Sequence, residues 1–304
     1  MADMDRIQSA IRIAVLVVTV GFLPSQSFAD GPGILLLAHG GSAEWNDQIT
    51  SLAAQVNRTV PTEVAFGMAT RSAIQAGVDR LVSRGATEVV AVPLFISSWS
   101  SVITSTEYLL GQRAEAPAAL ATFAKMSHAG HGDHAQAGDG TTPITSPVRV
   151  RMTRALNDHA VVAEILTSRA RSISSNPSQE SVVIVAHGPN SDEENRQWLA
   201  DMASLAGQMA RHLASLERFA SIDYLTLRDD APAPVRDQAT RELRSVVDRR
   251  IAEGRRVLIV PLLVSFGGIE RGLRTRLEGL AYTMPAAALL PDDRLVAWVL
   301  EMAR

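Results

Sequence analysis

The chain has 304 residues, enough for one large or two modest domains with substantial cores. Its 29 Lys and Arg against 32 Asp and Glu leave a net charge of −3 with no basic stripe, which argues against nucleic acid as a partner. There is no cysteine, so disulfides, thiolate metal sites and iron–sulfur clusters are excluded.

In chain order, Arg6 and Arg12 precede the apolar run "IAVLVVTVGFL", and Ser27 and Ala29 supply the small residues of a cleavage site in "SQSFAD". This pattern predicts a secretory signal over residues 1–29 and a mature protein working outside the cytoplasm, most simply in a periplasm. The run is too short for a comfortable membrane span, so none is expected after cleavage.

"GILLLAHGGSAEWNDQI" follows: a continuous apolar run, as a strand buried on both faces requires, then His39-Gly and the polar start of a helix. "TEVAFGM" reads as a strand and "SAIQAGVDRLVSRG" as an amphipathic helix ending at Gly. "TEVVAVPLFISS" reads as a second buried strand running into Pro-Leu. A long segment at about 113–147 is rich in Ala, Gly, Thr and His. It holds "SHAGHGDH", which sets His128, His131 and His134 three residues apart beside Asp133, with Asp139 further on. It is too rich in Gly and Ala for a fixed core, and such a loop gathers Zn, Co or Ni weakly without preset geometry. "ALNDHAVVAEILTSRA" then predicts an Asp-capped amphipathic helix.

From there the pattern repeats. "SVVIVAHGPNSDEENRQWL" answers the first His-Gly segment, and "FASIDYLTL" gives the next strand. "VRDQATRELRSVVDRRIAEG" gives a helix ending at Gly, "RRVLIVPLLVSF" the Pro-Leu strand, and "ALLPDDRLVAWVLEMA" the closing Asp-capped helix. Only "GLAYTMPA" stands where the first copy carries its insertion. Strands alternating with helices predict an α/β fold of two similar doubly wound parallel-sheet domains, at about 31–175 and 176–304, related by a pseudo-twofold axis. His39 and His187 each end the first strand of a half. In an open parallel sheet, that places them at the ligand-binding edge. Neutral imidazole there can bind a divalent metal or accept a proton near pH 7.

In order and spacing, "LLLAHGG", "VAFGMATRSAIQAGVDRLVSRGATEVVAVPLFIS", "VIVAHGPNSDEENRQW" and "VLIVPLLVSFGGIERGL" resemble the class II chelatases, in their long two-half form. The resemblance implies two chelatase-like domains with a tetrapyrrole in the cleft between them and a divalent metal (Co, Ni, Fe or Zn) delivered by histidine. Sirohydrochlorin members usually carry a second His shortly after "PLF"; here Ser100 or Ser101 stands in its place. Protoporphyrin-type ferrochelatases similarly pair a strand-end His with a Glu on a later turn. By that resemblance His187 and Glu270, with His39, are the expected metal ligands and proton acceptors. The alternative for Glu270 is a helix N-terminal residue favoured by the macrodipole.

Trp99 and Phe266 are candidates for lining a flat ring, and Arg71, Arg228 and Arg274 for pairing with its carboxylates. Asn46, Asn190, Glu193 and Glu194 open the helices after the His-Gly turns, with capping the expected duty of Asn190. His159 and His212 read as ordinary helical residues. One chain supplies both walls of the cleft, which lowers the need for a homodimer. The leading expectation is an exported chelatase that inserts a divalent metal into a sirohydrochlorin-type tetrapyrrole. The alternative is a non-catalytic periplasmic metal- or tetrapyrrole-binding protein on the same fold. Nothing in the His-Gly repeats supports a sugar or amino-acid binder.

Overall fold

The computed structural model describes residues 31–129, 139–213 and 218–304; side chains at 127–129, 139 and 212 are not described. The expected signal over residues 1–29 therefore lies outside the described residues, as do His131, Asp133 and His134.

Two all-parallel sheets form the frame. In the first half β1 (Gly31–Ala38), β2 (Thr62–Phe66), β3 (Ala86–Pro93) and β4 (Arg149–Met152) lie in the order β2-β1-β3-β4. In the second half β5 (Glu180–Ala186), β6 (Ser221–Thr226) and β7 (Arg256–Leu262) lie in the order β6-β5-β7. Thr283 bridges Leu258 in parallel at the place that β4 holds in the other sheet. The apolar runs become strands covered on both faces, and residues 34–36 and 182–184 are fully buried.

Alternation along each strand divides the interior. One face of the first sheet packs on α2 (Arg71–Ser83), α3 (Ser101–Leu109) and α4 (Ala118–Ala129). One face of the second sheet packs on α7 (Ala233–Ala252) and α8 (Ile269–Arg276). The remaining faces turn toward each other and share one core with α1 (Ala43–Val56), α5 (Ala160–Ser172), α6 (Asp192–His212) and α9 (Arg294–Met302). Inside it the two closing helices cross over. Helix α5, last of the first half, packs on β7 and α6, while α9, last of the second, packs on α1 and α5. Arg169 of α5 fastens the exchange by donating to the carbonyls of Ala288, Leu289 and Pro291 at 2.7, 3.1 and 2.8 Å.

Three local expectations need correction. The cap of α5 is His159, not an aspartate: its Nδ1 accepts from the Val161 N–H at 3.2 Å. Its ring also meets Trp298 edge-on with centroids 6.5 Å apart, so it ties α5 to α9 rather than sitting idle in a helix. Asp293 caps α9 by position only, with no side-chain hydrogen bond. Part of the insertion is built into the core, because α4 buries Leu120 and Phe123 against the first sheet's outer layer. His128 falls in the last turn of α4.

Candidate functional site

Both strand-end histidines stand on the same kind of turn. Gly40 and Gly188 follow them with φ of +82° and +77°, a conformation that L side chains resist. At Gly188 an added Cβ would lie 2.5 Å from Thr226 Cβ, so the turn also needs the space. Each turn then enters a helix through a serine. Ser42 Oγ accepts from the Trp45 N–H and Ser191 Oγ from the Glu194 N–H. Ser191 thus takes the capping duty expected of Asn190.

The surroundings of the two imidazoles differ. His39 is exposed, and its Nδ1 lies 2.6 Å from the Gly40 carbonyl oxygen. That oxygen only accepts, so Nδ1 carries the proton and Nε2 presents its lone pair. His187 is half-buried, and its Nε2 lies 3.4 Å from Asp230 Oδ2 in the loop after β6. The matching loop after β2, residues 67–70, reads Gly-Met-Ala-Thr and offers no carboxylate.

Two arginine contacts hold the loop bearing Asp230. Arg228, 9% exposed and at φ +55°, donates to the carbonyls of Pro189 and Asn190 and to the Asp192 carboxylate. Its own N–H bonds the His187 carbonyl at 2.7 Å. Arg276 pairs with Asp229. Arg228 is therefore a clasp on the two loops flanking His187, not an open anion-binding group as expected. Arg71 donates to the carbonyls of Thr142 and Pro143 in the insertion. Arg274 is exposed on α8.

Glu270 opens α8, and its Oε2 accepts from the backbone N–H groups of Gly267 and Gly268 at 3.0 and 2.8 Å. Burial alone would raise its pKa, but those N–H donors, its own N–H and nearby Arg271 together hold it below the usual carboxylate value. It is an ionised carboxylate aimed at its own helix start, and its expected pairing with His187 is replaced by the contact of His187 with Asp230. Glu194 is held above its usual value, chiefly by burial, with Glu193 adding to the rise. Glu193 itself is exposed.

The Pro-Leu loops lock the halves together. Ser265 donates to Gln48 at 3.0 Å, and Gly267 lies so close to Trp45 that an added Cβ would stand 3.0 Å from the ring. Reciprocally, Trp198 Nε1 donates to the Trp99 carbonyl at 2.8 Å. Each loop leaves a strand tip of one sheet and seats on the helix that follows the His-Gly turn of the other. The carboxyl edges of both sheets therefore open on one side of the molecule. There Phe266, Glu270 and Arg271 face Glu44 and Gln48 across a concavity of about 310 Å³. His39 and His187 are not among its lining residues. Among the described residues no group of three or more His, Asp and Glu side chains is arranged to hold a metal ion.

Sequence reasoning missed Asp230. The signal was present: "LRDDAP" follows β6, so its two aspartates fall at the same carboxyl edge as His187. Asn46 was seen only as a residue opening its helix, and Asn195 was missed. Asn46 Oδ1 accepts from the Gly41 N–H and Asn195 Oδ1 from the Thr226 hydroxyl, so each braces its His-Gly turn.

Residues 33–173 match the CbiX family model. The chain is similar in structure to SirB from Bacillus subtilis with Fe3+, at 14% identity and a TM-score of 0.59, over 90% of this chain and 94% of that one. It is also similar to the sirohydrochlorin chelatase SirB from Bacillus subtilis subspecies spizizenii in complex with cobalt, at 14% identity and a TM-score of 0.54, over the same shares. A third likeness is to CbiX, described as the terminal enzyme for biosynthesis of siroheme in denitrifying bacteria. It has 15% identity and a TM-score of 0.51, over 89% and 97% of the two chains. No curated protein matches the sequence.

Proposed function

With residues 33–173 in the CbiX family of class II chelatases and the chelatase fold running through the chain, we propose that this protein inserts a divalent metal into a sirohydrochlorin-type tetrapyrrole. The substrates are the ring and Co2+, Ni2+ or Fe2+. Insertion forms bonds from the metal to the ring nitrogens as two pyrrole N–H protons leave. The chain must therefore hold a partly dehydrated cation and accept protons beside it.

The observation that carries this reading is the His187–Asp230 pair at the carboxyl edge of β5. The Asp230 carboxylate, 3.4 Å from Nε2, draws the imidazole proton to that nitrogen by its charge and leaves the Nδ1 lone pair of His187 for a metal or a proton. The same pairing is the usual outer support of a metal-binding histidine. His39, without a carboxylate, assists from the other strand tip. Glu270 keeps the β7–α8 loop in shape and is a weak base there, because its proton affinity is already lowered. By the export signal read in residues 1–29, the reaction takes place outside the cytoplasm.

A second reading is a binding protein on the same fold that captures metal or ring without joining them. Ser100 favours it: where sirohydrochlorin members usually carry a histidine, it caps α3 by accepting from the Ile103 N–H. The test is to incubate the purified mature chain with sirohydrochlorin and Co2+ and follow the absorbance change of the ring. Multiple turnovers support the chelatase. Stoichiometric binding of metal or ring without turnover favours the second reading.

A further inference from the structure

Of the four tryptophans, three are buried: Trp45 and Trp198 are 8% exposed and Trp298 1%. Trp99 is 41% exposed. An indole left partly in water forgoes part of the stabilisation of burial, and a free loop would let the ring fold onto neighbouring apolar surface.

This loop is not free. The Trp99 N–H donates to Ser97 Oγ at 3.1 Å, and its carbonyl accepts from Trp198 Nε1. Ser98 donates from both its N–H and its hydroxyl to Asn157 Oδ1, at 3.1 and 2.7 Å. Asn157 Nδ2 in turn donates to Asp201 Oδ2 at 3.0 Å. Groups from both halves thus fix the backbone that carries this exposed aromatic side chain.

Its place is the switch point of the first sheet. Strands β1 and β3 are neighbours, and the Leu94 N–H still bonds the Leu37 carbonyl at 2.8 Å where the two chains part. His39 directly follows β1, and Trp99 lies in the loop that leads from β3 into α3. In the second half the equivalent of Trp99 is Gly267, which packs against Trp45 and has no side chain to present. The aromatic plane is therefore a feature of one half only.

We infer that Trp99 is the platform on which one face of the flat tetrapyrrole stacks, holding the macrocycle over the strand tips beside His39. This rests on the chelatase reading for the identity of the ring, but it concerns binding and not insertion. An indole on a fixed backbone offers stacking area with little ordering entropy to lose.

The test is titration of metal-free sirohydrochlorin into the full mature chain, read by tryptophan emission and ring absorbance, with Co2+ affinity measured calorimetrically alongside. Ring binding is expected to quench the solvent-exposed emission that acrylamide also quenches. Trp99→Phe should keep ring affinity within about twofold, and Trp99→Ala should weaken it about five- to tenfold, with Co2+ affinity unchanged in both. Wild-type ring affinity in a folded Trp99→Ala chain overturns the platform and leaves the chelatase reading intact. Loss of ring affinity in that variant, in a wild-type chain that binds the ring but never inserts metal, supports the platform and removes the chelatase reading. A wild-type chain with no affinity for the ring overturns both.

Discussion

His187 Nε2 lies 3.4 Å from Asp230 Oδ2, whereas His39, its counterpart in the other half, has no such carboxylate among the described residues and donates to the carbonyl of the next residue. The repeat has kept both imidazoles and given only one of them a carboxylate. Removing that carboxylate should uncouple the tautomer of His187 from its surroundings. Asp230→Asn is expected to weaken Co2+ binding about tenfold, within the range for lost outer partners of metal-binding histidines, with no change in melting temperature beyond a few degrees. Calorimetric titration with Co2+ against wild type measures it, and an unchanged affinity would separate Asp230 from metal binding.

Glu270 should behave as a loop brace. Glu270→Gln retains an acceptor oxygen but loses the charge that favours two backbone N–H groups, so a stability loss of about 1 kcal/mol is expected. Metal insertion should fall less than threefold. Steady-state rates across pH 5–8 check this, and loss of the acid limb of the pH–rate profile in the variant would restore Glu270 as a proton acceptor.

Acid sensitivity should concentrate at Glu180. Its side chain is 1% exposed and is held by Ser174, by Ser175 through N–H and hydroxyl, and by Arg256 at 2.6 Å. Burial would raise its pKa, but these donors bring it from 4.5 to about 2. A folded value below the unfolded one means the stabilisation is present above pH 4.5 and is lost as pH falls through about 2. It amounts to about 3 kcal/mol. In urea unfolding, Glu180→Gln should be less stable than wild type by about that much at pH 6, and the gap should narrow progressively below pH 4.5.

The shared core predicts that the halves cannot be separated. Residues 31–175 alone would keep α5 without β7 and α6, and α1 without α9, exposing the apolar faces that now form the centre. That fragment should aggregate or stay unfolded, while the full chain unfolds in one calorimetric transition. Trp298→Ala, at the centre of the same core, should cost about 3–5 kcal/mol.

The sheets were legible because unbroken runs such as those ending at Ala38 and Ala186 permit little but doubly covered parallel strands. The His-Gly turns were legible because they recur. The exchange of α5 and α9 was not, since an apolar stripe tells which face is buried and not what buries it. The candidate site divided along the same line. His187 followed from strand position, but its partner Asp230 and the Arg228 clasp depend on loops that are distant in sequence and meet only through the order β6-β5-β7. Glu270 was placed correctly at a helix start, whereas the aim of its carboxylate at Gly267 and Gly268 is a matter of side-chain geometry that no spacing encodes.

The most direct measurement is the single-turnover rate of Co2+ insertion into sirohydrochlorin by His187→Ala and His39→Ala chains compared side by side. The account predicts a loss of at least a hundredfold for His187→Ala and about tenfold or less for His39→Ala, because only His187 is supported by a carboxylate. Equal rates in the two variants, or a larger loss at His39, would contradict it.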